Sequence, residues 1–89
     1  MEYGTILATR GVADEMERNP IFAWEVTIAF NRYQSKDWGD LSQEDKELND
    51  LAVKTGERIL AACDTSKGKI WIITEWDRSA TTILFPIEY

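Results

Sequence analysis

The chain has 89 residues, of which 16 are acidic and 10 basic, giving a net charge of −6. With 44% hydrophobic residues and no long apolar run, it is expected to form one folded domain, residues 1–89, without a membrane-spanning segment. The acidic excess argues against direct binding to nucleic acid or an anionic membrane, and the absence of histidine excludes Ser-His-Asp chemistry and the commonest zinc sites.

The first third of the chain predicts a strand followed by helices. Residues 2–9 are rich in β-branched and apolar side chains, and residues 12–18 suit a short helix. Asn19 and Pro20 form a typical helix start, with Asn as the N-cap and Pro in the first turn. Residues 21–33 fit a helical face and a strand alternation equally well, and the Asn-Pro start favours a helix.

A third helix is predicted after a polar loop. Ser42 is a suitable N-cap, Gly56 is placed to end the helix in a left-handed conformation, and Leu48, Leu51 and Ala52 are predicted to form its inner face.

The remainder of the chain predicts three strands, over residues 58–63, 69–76 and 81–87, with Pro86 at a sheet edge. The predicted fold class is α+β, with two or three helices packed on one face of a mainly antiparallel sheet of three to four strands. The element order is β-α-α-α-β-β-β, with the first strand joining the sheet beside one of the later strands.

The first candidate surface combines an aromatic residue with acids from the loop and the third helix. Its members are Asp37, Trp38, Asp40, Glu44, Asp45 and Glu47. These acids could imitate the phosphates of nucleic acid or attract a basic partner, with Trp38 as an apolar anchor. In the alternative interpretation the acids form a solvated face, while Trp38 covers the core and Asp37 and Asp40 fix the turn.

A second candidate surface is predicted at one end of the sheet. Its members are Arg10, Glu75, Trp76, Asp77 and Arg78. Arg10 could pair with Glu75 or Asp77 and recognise an anionic group, whereas Asp77 and Arg78 could instead stabilise the hairpin turn. An exposed Trp71 or Trp76 side chain would form an apolar patch through which two copies could form a homodimer.

Cys63 is interpreted as a small core residue, because the chain has no histidine to activate it as a nucleophile. A single cysteine also fits a reducing, cytoplasmic location. No glycine-rich phosphate loop is present. We therefore expect no catalytic residues, no cofactor and no metal site.

Several blocks spread over nearly the whole chain resemble one protein family. They are residues 8–12 (ATRGV), 38–46 (WGDLSQEDK), 58–60 (RIL), 69–75 (KIWIITE), 77–79 (DRS) and 85–86 (FP). The family is a group of small uncharacterised proteins from bacterial plasmids, phages and integrated elements, often labelled plasmid-related or as a type I restriction subunit. The chain departs from it at residues 31–33, where a basic stretch ending in histidine is usual, and at Trp76, where a small residue is usual.

The resemblance implies a mobile-element setting, in which small acidic proteins often protect the element from host nucleases. Together with the acidic surface, it leads to the hypothesis of a non-enzymatic anti-CRISPR or anti-restriction protein that binds a host nucleic-acid-processing enzyme. The alternative is a regulatory module that binds a small molecule or peptide through Arg10, Glu75 and Arg78.

Overall fold

The computed structural model describes residues 1–89 and confirms the α+β fold class and the predicted element order. The elements are β1 (Thr5–Ala8), α1 (Arg10–Arg18), α2 (Pro20–Gln34), α3 (Gln43–Thr55), β2 (Ile59–Thr65), β3 (Gly68–Thr74) and β4 (Ala80–Leu84), followed by a 3₁₀ turn (Pro86–Glu88).

The strands form one sheet in the order β1-β4-β3-β2. Strands β2, β3 and β4 are antiparallel neighbours, whereas β1 lies parallel to β4. The prediction that the first strand joins a later one is confirmed. This arrangement leaves β1 and β2 as the two edges of the sheet.

The ambiguous segment 21–33 is helical and lies within α2. The Asn19 side chain accepts hydrogen bonds from the amides of Ile21 and Phe22, and Pro20 occupies the first turn. These local signals favour a helix over the strand that the alternating pattern would also allow. The buried residues of α2 pack into the core and are Phe22, Val26, Ala29 and Tyr33.

Helix α3 begins and ends where the sequence predicts. The Ser42 hydroxyl accepts a hydrogen bond from the Asp45 amide at 3.1 Å, and Gly56 ends the helix with a φ of 79°. Gly56 suits this position because a left-handed backbone strains residues that carry a Cβ.

The predicted inner face of α3 is wrong for two of its three members. Leu48 and Leu51 are 56% and 55% exposed, whereas Asn49 and Ala52 are buried. The Asn49 amide nitrogen donates to the Leu60 carbonyl at 2.8 Å. The Asn49 side chain thereby turns toward β2, and the helix rotation that this requires directs both leucines to solvent.

The C-terminal segment departs from the predicted strand at Phe85. Pro86 begins the 3₁₀ turn rather than holding an edge position, and the chain then places the Tyr89 ring against Trp71 on the sheet face opposite the helices. The Tyr89 ring packs edge-on against Trp71 with centroids 5.7 Å apart, and the Arg58 guanidinium lies over Tyr89.

Glu88 ties this C-terminal segment to α1. Its carboxylate accepts hydrogen bonds from the Thr9 hydroxyl at 2.5 Å, the Gly11 amide at 2.9 Å and the Phe85 amide at 3.1 Å. The bond from Thr9 contributes most to holding the pKa of Glu88 below its usual range. A carboxylate near the positive end of α1 also stabilises that helix.

A chain of buried hydroxyls links the helices to the sheet. The Tyr33 hydroxyl lies 2.6 Å from Thr74 Oγ1, which lies 2.8 Å from Thr81 Oγ1, and Thr81 donates to the Tyr3 carbonyl at 2.7 Å. Each hydroxyl has one proton, so the donation by Thr81 fixes the direction of the other two bonds. Thr74 therefore donates to Thr81, and Tyr33 donates to Thr74.

We expect Tyr33→Phe to lower the free energy of unfolding by about 1–3 kcal/mol, because it removes the first donor and leaves the buried Thr74 oxygen without one. Tyr3→Phe is the matched control: the Tyr3 hydroxyl is exposed and its bond to the Gln34 carbonyl is long, at 3.4 Å. Urea unfolding followed by circular dichroism measures both. Equal losses of unfolding free energy in the two variants would contradict the role of the Tyr33 hydroxyl as a buried donor to Thr74.

The same hydroxyl predicts a loss of stability at alkaline pH. Burial raises the pKa of Tyr33 from 10.0 to about 12. The unfolded chain thus releases this proton first, so the stabilisation is complete below pH 10 and declines as the pH rises toward 12, by about 2–3 kcal/mol. Urea unfolding at several pH values should show the wild type and Tyr33→Phe converging over this range. A constant difference between them would contradict the raised pKa.

Candidate functional site

Trp38 lies in the core and not on the surface. Its side chain is 2% exposed, its ring packs edge-on against Tyr33 with centroids 5.3 Å apart, and its Nε1 donates to Asp50 Oδ1 at 2.8 Å. The expectation that Trp38 anchors a partner is therefore wrong. The alternative interpretation, a tryptophan that covers the core, is the one the structure confirms.

Asp37 and Asp40 hold the loop around Trp38. Asp37 accepts two bonds from the Arg32 guanidinium, at 2.8 and 3.2 Å, and one from the Gly39 amide at 3.1 Å. The bond from Arg32 is the main reason that the pKa of Asp37 is lowered. Asp40 accepts a bond from the Asp64 amide at 2.9 Å. Both carboxylates are exposed, but each already fixes backbone geometry.

This loop also closes one edge of the sheet. The Asp40 amide donates to the Ala62 carbonyl at 2.7 Å, and the Ala62 amide donates to the Trp38 carbonyl at 3.3 Å. Gly39 makes the approach feasible, because its φ is 77° and a Cβ there would collide with the Ala62 carbonyl oxygen. The outer edge of β2 is thus paired by the loop and, further along, by Asn49.

The remaining acids of the first candidate surface lie on the solvent side of α3. Glu44, Asp45 and Glu47 are exposed, and none of them forms an ion pair within the chain. Leu48 and Leu51 are exposed on the same helix. We call these five residues the acidic face.

Leu48 of the acidic face lines a shallow hollow. This hollow has a volume of about 280 Å³ and is lined by Leu41, Asp45, Leu48, Asn49 and Leu60. Glu44, Leu48 and Leu51 follow the spacing i, i+4, i+7, so they share one side of the helix. The acidic face therefore offers negative charge and apolar area to the same partner.

The structure separates Arg10 from the other members of the second candidate surface. The Arg10 side chain is 94% exposed and forms an ion pair with Asp14, at 3.9 Å. Because β1 runs parallel to β4 and β3 runs antiparallel to it, the end of β1 lies at the opposite end of the sheet from Glu75. The predicted pairing of Arg10 with Glu75 or Asp77 is wrong, and Glu75 pairs instead with Arg58 at 3.7 Å.

The Arg78 guanidinium is hydrogen-bonded to backbone carbonyls. Its guanidinium donates to the carbonyls of Ala52 at 3.0 Å, Glu57 at 2.7 Å and Glu75 at 3.0 Å, which joins the end of α3 to the turn before β4. Its backbone is left-handed, with a φ of 60°.

The neighbours of Arg78 complete this turn. Asp77 accepts a bond from the Ser79 amide at 3.0 Å, and this interaction lowers its pKa. Trp76 is exposed on the same turn. The interpretation of Asp77 and Arg78 as turn-stabilising residues is thus confirmed.

The other predicted position, Cys63, is a buried free thiol, as expected. Burial raises the pKa of this thiol, which keeps it protonated. An open groove of about 490 Å³ lies elsewhere, between the start of β3 and the C-terminal segment, and is lined by Glu15, Lys67, Gly68, Lys69, Phe85, Pro86 and Ile87. None of the predicted site residues lines it.

No family model, curated protein or solved structure matches this chain. The structure contains no group of three or more Cys, Asp or Glu side chains arranged to hold a metal ion. None of the helices combines the length and apolar character that crossing a bilayer requires.

We expect Arg78→Gly to lower the free energy of unfolding by about 1–3 kcal/mol, because it removes three hydrogen bonds to backbone carbonyls while suiting the left-handed backbone. Arg10→Ala, at an exposed arginine, should change it by less than about 0.5 kcal/mol. Thermal unfolding measures both variants. Similar stability of the two would contradict the structural role of Arg78.

Proposed function

We propose that the protein is a non-enzymatic binding module that acts in the cytoplasm on a nucleic-acid-processing enzyme of its host, of the restriction or CRISPR type. In this proposal the acidic face occupies the enzyme's basic nucleic-acid groove and blocks the substrate. The observation that carries the proposal is the exposure of Leu48 and Leu51 among unpaired acids of α3.

The charge distribution supports a basic partner. The chain carries a net charge of −6, and Glu44, Asp45 and Glu47 have no internal cationic partner within 4.0 Å. Unpaired acids remain available to a basic groove and accelerate encounter with it at low salt. A surface that only solubilises the protein would need the acids but not the leucines.

The leucines supply the apolar contact that was expected of Trp38. The core contacts of α3 are made by Asn49 and Ala52, so Leu48 and Leu51 are free to bind a partner without loosening the fold. Complete burial of one leucine side chain contributes about 1.5–3 kcal/mol relative to exposure. This contribution is not screened by salt, whereas that of the acids is.

The alternative function, a regulatory module for a small molecule or peptide, has less support. It required Arg10, Glu75 and Arg78 to line one site. Arg10 lies at the other end of the sheet, and the carbonyls of α3 and its loop already occupy Arg78.

The proposal predicts that the tagged protein retains a nucleic-acid-processing enzyme from a lysate of its bacterial host, and that high salt and added nucleic acid both release it. The retained proteins are identified by mass spectrometry, and the purified enzyme is then assayed for cleavage with and without the protein. Inhibition relieved by excess substrate is the expected result. Retention without inhibition, or retention that nucleic acid does not affect, would contradict occupation of the groove.

Two variants separate the contributions of the acidic face. Glu44→Lys with Glu47→Lys should weaken binding at least tenfold at low salt, and Leu48→Ser with Leu51→Ser should weaken it at all salt concentrations. Glu17→Lys with Glu57→Lys is the control, because it makes the same change of net charge at exposed positions outside the acidic face. All three should still unfold cooperatively, with melting temperatures close to that of the wild type; Glu44→Lys costs about 0.3–1 kcal/mol, because Glu44 lies in the first turn of α3. Equal weakening by the control and the Glu44/Glu47 variant would mean that net charge alone acts.

A further inference from the structure

The two edges of the sheet differ in whether their outer backbone groups are paired. The outer edge of β2 is closed by the loop at residues 38–40 and by the Asn49 side chain. The outer edge of β1 has no neighbouring strand, and all four residues of β1 are exposed. Natural proteins usually protect such an edge with charged residues, proline or a covering segment, and the sequence TILA provides none of these.

The free hydrogen-bonding groups of this edge belong to Ile6 and Ala8. The amides of Thr5 and Thr9 donate to the carbonyls of Ser79 and Ile83, both at 3.0 Å, so this alternate set of residues faces β4. Successive residues of a strand direct their backbone groups to opposite sides. The N–H and C=O groups of Ile6 and Ala8 therefore point away from the sheet.

Apolar side chains accompany these free backbone groups on both faces of the sheet. Ile6 is 47% exposed on the helix-covered face, where its register partner in β4 is the buried Thr81. Leu7 is 46% exposed on the opposite face, beside Thr82. A strand added at this edge would cover both side chains.

We propose that a second copy of this chain pairs antiparallel with β1, which joins two four-stranded sheets into one continuous sheet across a two-fold axis. Outward-facing residues must pair with outward-facing residues, so Ile6 of each copy pairs with Ala8 of the other, and Leu7 faces Leu7 across the axis. A register centred on Ile6 would need Gly4 as a paired residue, and its φ of 65° takes it out of an extended conformation.

The charges at the two ends of β1 favour this self-pairing. Glu2 precedes the strand and Arg10 follows it, so an antiparallel copy brings Arg10 near the second copy's Glu2 at both ends of the junction. A parallel copy would instead place like charges together. Arg10 is available for this contact, because its guanidinium is exposed and its ion pair with Asp14 is long.

The acidic faces of the two copies do not oppose this arrangement strongly. The acidic face lies on α3, beside β2, at the opposite edge of the sheet from β1. Adjacent strands lie about 4.8 Å apart, so about 14 Å separates β1 from β2 in each copy. This exceeds the screening length of about 8 Å at physiological salt. The inference stands on β1 alone and does not rest on the proposed function.

Sedimentation-equilibrium analysis of the full chain tests the proposal over a range of protein concentrations. The expected result is a mass that rises with concentration to twice the 10.2 kDa of one chain. Leu7→Lys should abolish this rise, because lysine at a strand edge disfavours pairing. Ile21→Lys makes the same kind of change, from an exposed apolar residue to lysine, on α2 and should leave the dimer intact. A monomer at all concentrations would overturn the proposal, as would a dimer that Leu7→Lys leaves unchanged.

Cross-linking tests the register and does not depend on how Leu7→Lys folds. Leu7→Cys in a Cys63→Ala background should form a disulfide-linked dimer on mild oxidation, because facing residues at a non-hydrogen-bonded position have Cα atoms about 4.5 Å apart. Ile6→Cys in the same background should cross-link much less, because Ile6 faces Ala8 and not its own equivalent. Efficient cross-linking through Ile6 and not through Leu7 would overturn this register.

Discussion

The hydroxyl chain from Tyr33 to the Tyr3 carbonyl is the interaction on which the layered structure depends. Its members belong to α2, β3, β4 and the segment that enters β1, so one line of buried hydrogen bonds sets the position of the helix relative to three strands. Hydroxyls buried without partners would destabilise the fold, whereas this series satisfies each in turn and ends at a backbone carbonyl. The polar residues of this core therefore specify its alignment, while the apolar residues around them supply its stability.

The use of polar side chains in internal hydrogen bonds also explains why the two candidate surfaces differ in what they leave free for a partner. Carboxylates and guanidiniums close to the backbone, such as Asp40 and Arg78, are used to fix loops and helix ends. The side chains of α3 that point away from β2 keep their charge and apolar area free. Asn49 determines which side chains these are, because its bond to Leu60 sets the rotation of the helix.

Local signals in the sequence predict the helices well, since the chemistry that starts and ends a helix lies within a few residues. Asn19, Ser42 and Gly56 each act as expected. The orientation of α3 could not be predicted in this way: two leucines suggest an inner face more strongly than one asparagine, and the contact of Asn49 with Leu60 spans 11 positions. The position of Arg10 depends on a parallel pairing between the first and last strands, which no local pattern encodes. Asn49 shares a helix face with Ala52 and Val53, and this spacing is the one signal from which the orientation of α3 could have been predicted.

The parallel pairing of β1 with β4 also determines how the protein responds to tension. The chain enters the sheet at one end of β1 and leaves it at the opposite end of β4, and these two strands are neighbours. A force that separates the two termini therefore acts along the strands and strains all of the hydrogen bonds between them together, rather than opening them one at a time. Glu88 adds a further attachment between the last residues and α1. A small domain with this connection resists forced separation of its two ends more strongly than its overall stability alone would indicate, because forced unfolding is governed by the unfolding rate.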